Sequence, residues 1–191
     1  MIVRIVAGAP KAFTNFDEGY VIAVDKGVKH CLEQNIKIDL AIGDFDSYDE
    51  SKVRVPMIKL NPVKDETDIF VAIQEAIKLS PKKIFIYGGT NGRFDHYLAN
   101  INLLDLYDIE LVDEMNRIFV KSESFSIDSK EYISFFRFKG NPVITLEGFK
   151  YPLTNYLLLD KDNLCVSNET VGKGYVNIEQ GSVLVVISKK D

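Results

Sequence analysis

The sequence predicts an α/β protein: an N-terminal open, mostly parallel sheet with flanking helices, followed by a small C-terminal all-β sandwich. Three observations carry this prediction. Up to about Asp113, short apolar runs alternate with helix-length segments, the pattern of repeated strand-helix-strand units. The runs lack clean alternation of apolar and polar residues, as strands covered on both faces do. After about Asn116 the period changes to two, in short runs of β-branched and aromatic residues bounded by turn formers.

In the first part the strand candidates are residues 2–7, 20–24, 40–42, 57–60, 84–87 and 109–112. A helix is expected after Asp25. Ile69, Phe70, Ile73, Ala76 and Ile77 recur at helical spacing, as do Phe94, Leu98, Ile101 and Leu104. In the second part the strand candidates are residues 132–138, 143–149, 157–159, 164–167, 175–178 and 183–188. Gly140-Asn141-Pro142, Lys161-Asp162-Asn163 and Gln180-Gly181-Ser182 are expected to turn the chain between them. The reading is two domains, 1–116 and 117–191, joined near residues 113–122. At about 75 residues, the second is small for a free-standing core and is expected to lean on the first or on another subunit.

The composition is that of a folded globular chain: 191 residues, 46% hydrophobic and 27% charged, with a net charge of −5. Cys31 lies in a helical pattern and Cys165 in a strand pattern. Two cysteines are too few for a disulfide framework or a structural zinc site, which points to a reducing compartment. The opening residues lack the charged flank and long apolar stretch of a signal peptide, and no apolar run approaches the ~20 residues of a membrane span. A cytoplasmic protein that touches no membrane is expected. Between Asp39 and Asp68 there are eight acidic and four basic residues, so −4 of the net −5 falls in that stretch. A nucleic-acid binder would show a basic stripe instead. Concentrated carboxylates suit a hard cation, whose charge offsets their repulsion.

In an open parallel sheet, ligands bind beyond the carboxyl ends of the strands. Asp25, then Asp44 and Asp46, then Asp65 and Asp68, and finally Arg93 and Asp95 each follow one of four successive strand candidates, so all are expected at one rim. In Gly43-Asp44-Phe45-Asp46-Ser47 the two carboxylates share a side if the backbone stays extended, and could hold a cation whose other positions go to phosphate and water. The alternative is a polar turn satisfying its own backbone. Lys64-Asp65-Glu66-Thr67-Asp68 opens a helix; Asp65 or Thr67 would cap it, but three acids in four residues exceed what capping needs. Asp65 and Asp68 lie close to one face if both are in the first turn.

Gly88-Gly89-Thr90-Asn91-Gly92-Arg93-Phe94-Asp95-His96 passes from strand through a glycine-rich loop into a helix. Glycine admits close approach of backbone to ligand, free N–H groups at a helix start attract phosphate, and Arg93 adds a fork of donors. The spacing is neither the dinucleotide fingerprint nor the P-loop. His96 is read as a phosphate contact or a helix-opening residue, and His30 as a surface or packing residue. Ser167-Asn168-Glu169 ends a strand candidate and, on the residues alone, reads as turn chemistry.

Together these motifs resemble the thiamine pyrophosphokinase (thiamine diphosphokinase) family. The pieces are Val24-Asp25-Lys26-Gly27, the Gly43–Ser47 and Lys64–Asp68 segments, Gly88 through His96 with Leu98-Ala99-Asn100 behind it, and Ser167-Asn168-Glu169. The resemblance implies an α/β nucleotide-binding domain followed by a β-sandwich, in a homodimer with thiamine at the subunit interface. It implies transfer of a diphosphate group from ATP to thiamine, giving thiamine diphosphate and AMP, with Mg2+. It further implies Asp44, Asp46 and Asp68 as metal ligands and transfer centre with Asp65 beside them, and Asp25, Gly89, Thr90, Arg93, Asp95 and His96 on the ATP side. Ser167 and Asn168 are implied contacts to the pyrimidine ring. Two features depart from the family's pattern: Lys26 stands where many members have glycine, which opens contacts there to a side chain in place of bare backbone, and the Trp that animal members place against thiamine is absent, a place open to Tyr175 or a partner aromatic. Two rival readings are an Mg2+-dependent phosphatase using Asp44 and a non-catalytic sensor of nucleotide or thiamine diphosphate.

Overall fold

The computed structural model describes residues 1–10, 16, 18–45, 54–61 and 65–190, and the chain divides into two compact units, Met1–Glu114 and Met115–Asp191. In the first unit, β1 (Ile2–Val6), β2 (Tyr20–Val24), α1 (Gly27–Glu33), β3 (Leu40–Gly43), β4 (Met57–Lys59), α2 (Asp68–Lys78), β5 (Lys83–Tyr87), α3 (Phe94–Ile101) and β6 (Ile109–Val112) follow one another. All its strand pairs are parallel, in the order β6-β5-β1-β2-β3-β4. The strands lie within a residue of their expected bounds, because parallel strands covered on both faces are apolar throughout.

β1 is central: Val6 pairs with Ala23 on one side and Tyr87 on the other. One face of the sheet presents Val6, Val21, Ala23 and Ala41, which pack with Val28 and Cys31 of α1. The alternate residues, among them Ile5, Ile22, Ile42, Ile84 and Ile86, are fully buried on the other face. α2 packs against β1, β2 and β3 through its buried stripe of Ile69, Ala72, Ile73 and Ala76.

The second unit is all β and antiparallel: β7 (Asn116–Lys121), β8 (Phe125–Ile127), β9 (Tyr132–Phe149), β10 (Leu153–Leu157) and β11 (Thr170–Ser188), ordered β10-β9-β11-β7 with β8 on β11. Here the structure corrects several expectations. Four expected strands are two long ones, and the glycines read as turns lie inside them. Gly140 (φ +70°) and Gly181 (φ +69°) face each other where the β9–β11 register shifts, and a Cβ on Gly140 would sit 3.2 Å from Gly181 Cα. They bend the paired strands together instead of ending them. Phe135 and Phe149 are fourteen residues apart on β9, roughly 46 Å in a straight strand. Their rings nonetheless meet edge to face at 5.7 Å, so both halves of the bent ribbon share one core.

Residues 116–121, inside the expected junction, form β7. The strand expected at 157–159 runs earlier, as β10. That expected at 164–167 is a turn: the Asp162 carboxylate accepts from Leu159 N–H (2.7 Å), Val166 N–H donates to Asn163 C=O, and only Asn168 bridges, to Ile133. Cys165 is therefore a buried turn residue and not part of a strand.

Candidate active site

Asp25 leaves β2 with its N–H donating to Ile42 C=O (2.9 Å) and its φ at +50°. A Cβ on Gly43 would fall 2.1 Å from Asp25 Oδ1, so glycine is required there for the carboxylate to lie against the end of β3. Asp44 follows at once. Phe45 then takes φ +57°, rare for a bulky residue, with its ring buried against the α1 face. That left-handed residue corrects the extended backbone expected at Phe45, the condition for reading two carboxylates on one side. Asp46 itself lies outside the described residues.

Thr67 is the N-cap of α2: its side chain accepts from Phe70 N–H at 3.2 Å. Asp68 is the first helical residue, whereas Asp65 is exposed and precedes the cap, so the two do not share a first turn as expected. Ile69, next to Asp68, lines the first of two cavities at this rim.

That cavity, about 300 Å³, is bounded mainly by the loop after β5. Gly88 takes φ +69°. Gly89 sits close against Leu111, Ile86 and Asn100, and its carbonyl accepts from the buried Asn100 amide at 2.8 Å, which pins the loop to α3. Thr90 Oγ1 is buried without a hydrogen-bond partner, a hydroxyl held ready for something the loop receives. Arg93 is the residue before α3 and forks onto Asp95, Nε to Oδ1 at 3.2 Å and a terminal nitrogen to Oδ2 at 2.5 Å. Asp95 Oδ1 also accepts from His96 N–H. The Arg93 guanidinium, more than any other neighbour, holds the Asp95 carboxyl down at about 2, and Asp95 raises Arg93 in return. His96 is exposed on the cavity wall.

The second cavity, about 720 Å³, is lined by Gly8, Pro10, Asp25, Lys26, Lys29, His30, Asp44 and Phe45. Gly8, Pro10 and Lys26 belong to both walls, so the two cavities adjoin. The structure thus brings Asp25 and Asp44 together beside the Gly88–His96 loop. Among the described residues no group of three or more metal-ligating side chains is assembled. The pair of carboxylates offers the oxygen donors that a hard cation takes.

Sequence reasoning missed several lining residues. His30, expected to be a surface or packing residue, lines the second cavity with Nε2 buried and unpaired. Lys29 and Gly8, also missed, join it there, beside Lys26, which the sequence marks as a departure from the family's glycine. The available signal was helical spacing: Lys26, Lys29 and His30 stand on one face of a helix starting where β2 ends.

In the second unit, Ser167 is exposed at φ +57°, and its N–H donates to Ser134 Oγ. Asn168 is buried and spends its side chain on the fold: Oδ1 accepts from Tyr151 and Glu169 N–H, and Nδ2 donates to Tyr151 C=O. Tyr175 is half exposed on β11.

Residues 15–116 match the family model described as thiamin pyrophosphokinase, catalytic domain, and residues 117–184 match its vitamin B1 binding domain. The chain is 36% identical to a thiamine pyrophosphokinase of Bacillus subtilis, over 99% of each chain. Its fold is similar to a crystal structure of thiamine pyrophosphokinase from Bacillus subtilis (TM-score 0.90, 32% identity, all of both chains). It is also similar to one from Geobacillus thermodenitrificans (TM-score 0.90, 28% identity, 100% and 99% of the chains).

Proposed function

The chain belongs to the thiamine pyrophosphokinase family, and from that premise we propose how its rim carries out the family's reaction. It is a diphosphotransferase that converts ATP and thiamine to AMP and thiamine diphosphate. The observation that supports our reading of the site is the meeting of Asp25 and Asp44 with the Gly88–His96 loop around two adjoining cavities at the carboxyl ends of β2, β3 and β5.

In this reading residues 1–116 form the nucleotide-binding catalytic domain. The loop from Gly88 to Gly92 approaches the triphosphate with its backbone, the unpaired Thr90 hydroxyl donates to it, and Arg93, oriented by Asp95, neutralises it. Asp25, Gly89 and His96 complete the ATP side. Asp44, with Asp46 and Asp68, would hold a divalent cation, Mg2+ in our assignment. When bound, that ion offsets charge on the phosphate oxygens.

The thiamine hydroxyl attacks the β-phosphorus. A new O–Pβ bond forms, the bond from Pβ to the bridging oxygen of AMP breaks, and the hydroxyl proton passes to a carboxylate of the Asp44, Asp46, Asp65 and Asp68 group. The protein's work is positioning and electrostatics. Residues 117–191 bind the vitamin, with Ser167 and Asn168 near the pyrimidine ring and the vitamin held at a homodimer interface. Because Asn168 is committed to the turn, its part is to fix Ser167 and its neighbours, and the direct contact falls to exposed groups. We place the enzyme in the cytoplasm; among the described residues no helix is long and apolar enough to cross a membrane.

Incubation with ATP, Mg2+ and thiamine tests this: AMP and thiamine diphosphate should appear in equal amounts. Thiamine-independent phosphate release, with an aspartyl-phosphate trapped on Asp44, would favour the phosphatase reading. ATP binding without thiamine-dependent AMP release would favour the sensor.

A further inference from the structure

Lys26 stands at the junction of the two cavities and has no role in the mechanism above. It directly precedes α1 and lines both walls, the one carrying Thr90, Arg93 and His96 and the one carrying Asp25 and Asp44. A Cβ on Gly8 would come within 2.8 Å of Lys26 Cβ, so the stem of Lys26 packs over a spot that only glycine leaves open. The residue itself remains exposed between the cavities.

The other fully charged cations of the two walls are already engaged: Arg93 with Asp95, and Lys29 with Glu33 at 3.7 Å. Among the described residues Lys26 makes no ion pair. An ammonium set beside a phosphate-binding loop, with its base fixed by packing and its charge uncommitted, is an anion ligand awaiting its anion.

We propose that Lys26 binds the β- and γ-phosphates of ATP, the diphosphoryl group that is transferred to thiamine. This rests on the reading that ATP occupies this rim. A cation between the Thr90–Arg93 loop and the Asp44 carboxylate meets the phosphates that are transferred, whereas the adenosine and α-phosphate stay behind with AMP. Lys26 is thereby a determinant of triphosphate over monophosphate binding.

The test compares the whole protein and its Lys26→Met and Lys26→Arg variants by titration with ATP, inorganic tripolyphosphate and AMP, with Mg2+ present and thermal midpoints recorded. Loss of one charge-assisted contact predicts that Lys26→Met weakens ATP and tripolyphosphate about tenfold and leaves AMP within about twofold. Lys26→Arg should recover most of the loss, and in turnover the KM for ATP should rise while that for thiamine holds. Equal weakening of ATP and AMP, or none, overturns the proposal. A parent protein that releases AMP with thiamine while Lys26→Met binds ATP normally overturns this inference alone. A parent protein that binds neither ATP nor tripolyphosphate overturns the reading of the rim.

Discussion

Two non-glycine residues at this rim take positive φ: Asp25, itself one of the two carboxylates, and Phe45, which follows Asp44. Such conformations cost on the order of 1–3 kcal/mol each and persist only where surrounding structure enforces them. Here the Asp25 N–H bond to Ile42 and the burial of Phe45 do so. Replacing either of two carboxylates that we propose as metal ligands should be felt in the chemistry and not in the fold: Asp46→Asn and Asp68→Asn should each lower kcat by about 100-fold or more while circular dichroism stays unchanged. Near-normal AMP release by both would sink the assignment. Gly43→Ala is a sharper probe of geometry, since its methyl would occupy the place of Asp25 Oδ1. We expect loss of turnover together with a lower thermal midpoint, and a variant matching the parent in both would refute the close packing. At this scale Asp25, Asp44 and Arg93 were legible in the sequence as charged residues directly following apolar runs. His30 and Lys29 were not, because helical spacing leaves open which side of a short helix meets the cleft.

At the scale of elements, capping and core packing dominate. Thr67 accepts from Phe70 N–H, so Thr67→Ala should cost about 1 kcal/mol of stability, measured by urea denaturation. Phe135, fully buried and in ring contact with Phe149 across the bend of β9, should cost about 3–5 kcal/mol when changed to Ala. Glu169 bonds Lys150 at 2.8 Å and Lys190 at 2.5 Å, and these lysines, Lys150 first, bring its carboxyl down from 4.5 to about 2. A depressed folded-state pKa gives stability that is fully present above the unfolded value and lost as pH falls towards the folded one. The parent should therefore lose stability relative to Glu169→Gln between about pH 4.5 and pH 2; parallel pH profiles would contradict the pairing. The parallel strands were readable almost to the residue because doubly buried strands are apolar throughout. The fusion of four expected strands into β9 and β11 was not, because Gly140 and Gly181 carry the same signature in a bend as in a turn, and only their cross-strand pairing distinguishes the two.

For the molecule as a whole, the acidic surplus acquires a place. Most of the net charge of −5 lies between Asp39 and Asp68, the stretch that supplies Asp44, Asp46, Asp65 and Asp68. A protein carrying that repulsion at its site should be stabilised by the ligands that relieve it. ATP with Mg2+ at about 100 times Kd should add about 2.7 kcal/mol, seen as a raised thermal midpoint. An unchanged midpoint under saturating conditions would place the nucleotide elsewhere. The central claim is that the rim of the first unit directs attack at the β-phosphorus of ATP. The most direct test is a single turnover with ATP labelled at the β-phosphate, followed by separation of products. The account predicts all label in thiamine diphosphate and none in AMP; label in ADP beside thiamine monophosphate would contradict it.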